Sequence, residues 1–236
     1  MKLKVAFLYA TFFIRRDNLF EKGNRIVAFS YFNFLFSSFI AKRDISFFRL
    51  DLREIANLCG IDKISLFKED DIKTVTCSYR GSIPLAVDVP AACLLAKNEM
   101  SLEKMFAFAE MTNADYLSLD LNYFDFDAVK KGNLLGLKFV AYSVQGNSSV
   151  DFIKEKALEF QSAGGELLIL EDYPKAFVKA VHSDLNIPVI SETGKNCDGN
   201  YIRVDKMLGL TEDESDINLK KILLDTVDEK IFKIKK

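Results

Sequence analysis

The chain has 236 residues, 49% hydrophobic and 28% charged, enough apolar material for one large core and unlike the make-up of fibrous, membrane-embedded or disordered proteins. Its net charge of -2 comes from intermixed Lys/Arg and Asp/Glu, so there is no basic stripe of the kind phosphate-backbone binding demands, and nucleic acid is not an expected partner. The four cysteines, Cys59, Cys77, Cys93 and Cys197, form no C-x-x-C pair and are read as reduced thiols, which fits a cytoplasmic protein.

Met1-Lys-Leu-Lys4 and the apolar run 5–14 have the look of a leader, but the run stops at Arg15-Arg16 without an A-x-A-like site and is too short to span a bilayer. Residues 1–24 are therefore read as an N-terminal extension packed on the domain, and no membrane partner is expected. Short apolar runs then alternate with longer amphipathic ones, the pattern of βα units around a parallel sheet. Strands are expected at 25–31, 45–50, 84–87, 116–119, 138–142, 166–170, 187–190 and 201–204. Helical spacing falls at 34–41, 68–79, 101–111, 124–131, 149–163 and 174–183.

Ser101 is a candidate cap, Pro174 suits a first helical turn, and Gly164-Gly165 should stop the preceding helix. The charged tail 211–236 reads as a terminal helix with Leu219, Ile222, Leu223 and Val227 on its buried face. With four prolines and no Ser/Gly-rich linker, residues 1–236 are expected to form a single domain. Eight strands in a chain of this length predict a (β/α)8 barrel over an open doubly wound sheet.

Four of the apolar runs close on a carboxylate: Asp51, Asp88, Asp120 and Glu171. In a parallel barrel all strand C-termini meet at one rim, where acids so grouped repel each other unless a hard cation such as Mg2+ offsets them. The plainer alternative is that Asp is common after strands as a cap or turn residue. His182 is read as structural, Asp198-Gly199 as a turn before the last strand, and Arg49 and Lys195 as solvated side chains, over the alternative that one of them supplies positive charge at the site.

The segment from Glu166-Leu-Leu-Ile-Leu-Glu-Asp-Tyr-Pro174 through Asn186-Ile-Pro-Val-Ile190 to Cys197-Asp-Gly-Asn-Tyr-Ile-Arg-Val-Asp-Lys-Met-Leu-Gly-Leu210 resembles the C-terminal half of ketopantoate hydroxymethyltransferases. That resemblance implies a barrel of the phosphoenolpyruvate mutase/isocitrate lyase-like superfamily and a reaction of pantothenate synthesis. In it, Mg2+-assisted enolisation of 3-methyl-2-oxobutanoate is followed by one-carbon transfer from 5,10-methylenetetrahydrofolate. It implies Asp51, Asp88 and Asp120 as the metal set, Glu171 as the general base, Asp88, Ser118 and Tyr142 at substrate positions, and a homo-oligomer.

The departures are as specific as the matches. Where the family has an Asp-Ser pair this chain has Asp51-Leu52, Ser118 stands in place of a lysine, and Tyr142 in place of a histidine. The Gly-rich lid is cut to little more than Gln145-Gly-Asn-Ser-Ser149. Two functions remain open: an enzyme acting on a small 2-oxoacid, and a non-catalytic paralogue that keeps the barrel and acts by binding or assembly.

Overall fold

The computed structural model describes residues 22, 26–30, 46–51, 72, 76, 83–89 and 99–203. Eight parallel strands run in chain order and close into a barrel: β1 (Ile26–Ser30), β2 (Phe47–Leu50), β3 (Leu85–Asp88), β4 (Tyr116–Asp120), β5 (Phe139–Val144), β6 (Leu167–Glu171), β7 (Val189–Ser191) and β8 (Gly199–Ile202). Closure is made by β1 on β8, with Ala28 opposite Tyr201. Four helices are described: α1 (Glu99–Thr112), α2 (Phe126–Leu134), α3 (Val150–Ser162) and α4 (Lys175–His182). The fold is thus α/β and TIM-barrel-like. The expected helix at 34–41, the extension 1–24 and the tail 211–236 lie outside the described residues, apart from Lys22. Of the stretch 68–79 only Ile72 and Thr76 are described, both helical.

Period-two alternation along the strands divides the core into two layers. Phe47, Ala86, Tyr116, Val140, Tyr142, Leu167, Ile169, Ile190 and Tyr201 form one cluster, the barrel interior. Their neighbours along the chain, among them Phe48, Leu50, Val87, Leu117, Leu119, Ala141, Leu168 and Leu170, pack instead with helix residues such as Phe108, Val129, Ile153, Phe160 and Val178. This is a filled core, as barrels of this size require. Near the strand N-termini burial holds the Glu166 carboxyl above the usual carboxylate range, with Lys138 partly offsetting it.

Local chemistry sets the helix ends. Asp125 caps α2, its Oδ1 accepting from the Ala128 N–H at 3.1 Å, and Ser149 caps α3, its Oγ accepting from the Phe152 N–H at 3.2 Å. Gly164 and Gly165 do stop α3: the Gly164 N–H donates to the Gln161 carbonyl and the Gly165 N–H to that of Phe160, with Gly164 at φ 95°. That is a Schellman ending, which needs a left-handed residue just past the helix. Two expectations shift. Helix α1 starts at Glu99, so Ser101 lies inside it, and Pro174 is the residue before the first turn of α4. A serine and a proline mark helix starts only to within a turn.

A Cβ at Gly165 would lie 2.1 Å from the ring of Phe160, which is fully buried. Gly165→Ala is therefore expected to cost about 1–3 kcal/mol by overpacking, a loss of several degrees in Tm by thermal denaturation. An unchanged Tm would mean that α3 does not close on β6 as described.

Candidate functional site

The site is built by the same alternation that fills the barrel. Residues two apart on a strand share a face, so Arg49 and Asp51 project inward with Phe47, Asp88 with Ala86, Ser118 with Tyr116, and Glu171 with Ile169. Each of the five polar residues is at most 2% exposed. Strand register brings them to one level: Arg49 is opposite Ala86, Asp88 opposite Ser118, and Val144 opposite Glu171.

At the centre is the guanidinium of Arg49. Its Nε donates to Asp88 Oδ1 at 2.7 Å and its Nη2 to Asp88 Oδ2 at 3.0 Å, so both oxygens of that carboxylate are engaged in a two-pronged contact. Nη1 donates to Glu171 Oε1 at 2.6 Å and lies 3.6 Å from Asp51 Oδ2. Nε also reaches Ser118 Oγ at 3.1 Å. The guanidinium carbon sits 3.8 Å from the ring centroid of Tyr142 and 5.5 Å from that of Tyr201. Planar geometry with five donors suits this many-sided task in a way a lysine ammonium does not. Burial by itself disfavours the charged guanidinium, but Asp88, Tyr201, Asp51 and Glu171 outweigh it and hold the group well above its ordinary value.

Reading Arg49 as a solvated side chain is thus overturned: it is fully buried. The signal was available, because Arg49 stands two residues before Asp51 and shares its face. Of the acids singled out in the sequence, Asp51, Asp88 and Glu171 converge on one cation and Asp120 does not join them. Asp120 Oδ1 accepts from the Asn122 backbone N–H at 2.9 Å and from its Nδ2 at 3.0 Å, the turn-forming role of an acid after a strand. Ser118 and Tyr142 both meet the arginine, through a hydrogen bond and a ring face.

Glu171 is followed by Asp172 at φ 63°, a left-handed residue that turns the chain sharply into Tyr173 and Pro174. The Tyr173 hydroxyl donates to the Val144 carbonyl at 3.2 Å and lies 2.9 Å from Ser143 Oγ, joining the ends of β5 and β6. Away from this centre, His182 Nε2 meets Asp198 Oδ2 at 3.0 Å, and that oxygen also accepts from the Val189 N–H. This pair ties α4 to β7, a structural role, while Lys195 is exposed.

The donor set does not fit a divalent cation. Mg2+ needs carboxylate oxygens at about 2.0–2.1 Å in octahedral array, and here the oxygens of Asp88 and one of Glu171 point into a guanidinium at hydrogen-bond distance. A second cation in that space would meet a fixed positive charge. Among the described residues no group of three or more His, Cys, Asp or Glu is arranged to hold a metal ion. No described helix is long and apolar enough to cross a membrane.

Replacing Arg49 by Met leaves three buried carboxylates without their shared cation, a loss of about 3–5 kcal/mol at neutral pH. Arg49→Met is therefore expected to melt several degrees below the unaltered protein at neutral pH. An unchanged Tm would show that the arginine does not hold the acids.

Comparison with known proteins agrees with this architecture and locates its relatives. Residues 136–227 match the family described as ketopantoate hydroxymethyltransferase. A 3-methyl-2-oxobutanoate hydroxymethyltransferase of Buchnera aphidicola subsp. Acyrthosiphon pisum (strain 5A) is 40% identical over 74 residues, 30% of this chain and 28% of that protein. The Pectobacterium atrosepticum protein of the same name is 38% identical over 80 residues, 33% and 30% of the two chains. The aligned stretch thus spans less than a third of the length of these relatives. Among solved structures, a phosphoenolpyruvate phosphomutase from Streptomyces platensis subsp. rosaceus superposes with TM-score 0.60 at 11% identity, covering 90% of this chain and 84% of that one. A 2,3-dimethylmalate lyase of the PEP mutase/isocitrate lyase superfamily gives 0.58 at 11%, covering 91% and 81%. At such identity these likenesses speak to the fold alone.

Proposed function

We propose, from the likeness of residues 136–227 to the ketopantoate hydroxymethyltransferase family, that this chain is a divergent member which no longer performs the metal-dependent reaction and acts by binding or assembly. The observation that carries the reading is the occupation of the acid cluster by Arg49. A general base must reach the proton it takes, through a hydrogen bond or a single water. Glu171, at the base position, is fully buried and its Oε1 is held by Nη1 at 2.6 Å. Asp88, at the metal and substrate position, has both oxygens on the same guanidinium. The positive charge that would draw a 2-oxoacid carboxylate into the site is already spent on protein carboxylates.

What remains is a rigid barrel, and homo-oligomer formation is the mode of assembly that the family likeness favours. Tyr123, Leu134 and Leu135, large apolar side chains left in water, are the described candidates for such contacts.

The enzyme reading rests on a different observation. Asp51, Asp88 and Glu171, from three separate strands, all lie within 3.6 Å of one cationic group, the convergence that enolisation of a small 2-oxoacid, with 5,10-methylenetetrahydrofolate as one-carbon donor, would use. On that reading Arg49 swings away when Mg2+ and substrate enter.

Deuterium exchange at C3 of 3-methyl-2-oxobutanoate, followed by proton NMR with folded protein and millimolar Mg2+, separates the two. The proposal expects exchange at the buffer rate. Protein-dependent, Mg2+-dependent exchange that Glu171→Gln abolishes would overturn it in favour of the enzyme.

A further inference from the structure

We infer that the outer face of α2 and α3 is a two-fold interface on which a second copy of this chain docks, its α3 laid over α2 and its α2 over α3. The inference rests on the assembly reading given above and deepens it, because it names the partner, the pair of helices and the charges that match them.

Three observations carry it. The first is where apolar surface is left in water. Among the described residues the exposed large apolar side chains are Tyr123, Leu134, Leu135, Phe152 and Leu158, and every one stands on α2 or α3 or in the turns at the two ends of α2. None is described on α1 or α4. Leu134 is 79% exposed and Leu135 64%, and neither is needed to end its helix. The Gly136 N–H donates to the Asn133 carbonyl and the Leu137 N–H to that of Gly132, and it is Leu137 that folds back onto the core as the apolar contact of such an ending. The two helices are neighbours: Phe124, just before α2, meets Phe160 of α3 edge-on at 5.7 Å, and Asn133 Nδ2 donates to the Gly164 carbonyl at 3.1 Å. A monomer rarely concentrates its exposed apolar side chains on one face in this way.

The second is the sign of the charges beside those side chains. Lys130 and Lys131 are exposed on α2, and Asp151 and Glu155 on α3. None of the four has an ion-pair partner among the described residues, whereas Lys154 and Lys156 of α3 are taken up by Asp184 at 2.6 Å and Glu159 at 2.7 Å. Asp127 lies at the opposite end of α2 from the lysines, in its first turn.

The third is that such a face is complementary to its own image. A two-fold axis makes each contact twice, so an α3 strip of acids laid on an α2 strip of lysines is repeated with the roles exchanged. An anionic membrane would meet repulsion from Asp151 and Glu155, and a partner of one charge sign would meet its like on one of the two helices. A second copy meets neither.

Sedimentation velocity of the full chain over a concentration series reads the association, with circular dichroism to confirm that each variant folds. The unaltered protein is expected to dimerise. Lys130→Glu/Lys131→Glu and Asp151→Lys/Glu155→Lys are each expected to weaken the dimer about tenfold or more, and Leu134→Glu/Leu135→Glu to abolish it. Combining all four charge changes exchanges the two strips at constant net charge, and is expected to recover the association that each half loses. Should the fourfold variant not fold, an equimolar mixture of the two half-exchanged proteins is expected to form the heterodimer in its place. Association that none of these variants weakens would overturn the inference and leave the assembly reading standing on another surface. Variants that weaken the dimer with no recovery in the fourfold protein or the mixture would overturn the laying of α3 on α2. A chain that stays monomeric at every concentration would overturn both the inference and the assembly reading.

Discussion

One buried guanidinium sets the terms for the interior of this barrel. Arg49 is enclosed by the strands, meets Asp88 through both its oxygens, reaches Glu171 and Asp51, and lies against the ring of Tyr142. Desolvating such a charge is expensive, and each acid in the cluster would be equally expensive alone. Each becomes tolerable only beside the other. The layer at the C-terminal ends of β2, β3 and β6 is thus fixed as a unit, and it stands where barrels of this kind carry their active sites.

The same unit explains how the family likeness and the altered residues coexist. Residues 136–227, which carry the family match, supply β5 to β8 and the helices between them, and their packing does not depend on whether the rim is catalytic. The capping hydrogen bonds at Asp125 and Ser149, the Schellman ending at Gly164 and the Asp198 bridge between His182 and Val189 belong to the scaffold. The rim chemistry hangs instead on a few inward positions. Arg49, at one of them, ties three acids into an ion network inside the closed barrel.

All eight strands were legible as apolar runs bounded by turn residues, because burial on both faces of a parallel sheet writes itself into continuous hydrophobic stretches. Their ends were less so: β5 continues to Val144 and β8 begins at Gly199, since hydrogen-bond register, invisible in composition, decides where pairing stops. The acids of the site were legible as types, and three of the four come together. Arg49 was legible only as the lesser alternative, one of two candidates for positive charge at the site, because the charge of an arginine reads as solvation unless strand parity is applied to it. Its position two before Asp51 commits it to the interior as firmly as the aspartate. Asp120 shows the converse: a shared parity places it inward, but Asn122 supplies nearer donors and turns it to a local task.

The central claim, that Arg49 is permanently enclosed by carboxylates, is tested most directly by nuclear magnetic resonance of its Nε–H group, assigned by its loss in Arg49→Lys. The account predicts a resonance that exchanges slowly with solvent and neither shifts nor broadens in excess Mg2+. Rapid exchange with water, or displacement of the signal as Mg2+ is added, would contradict it.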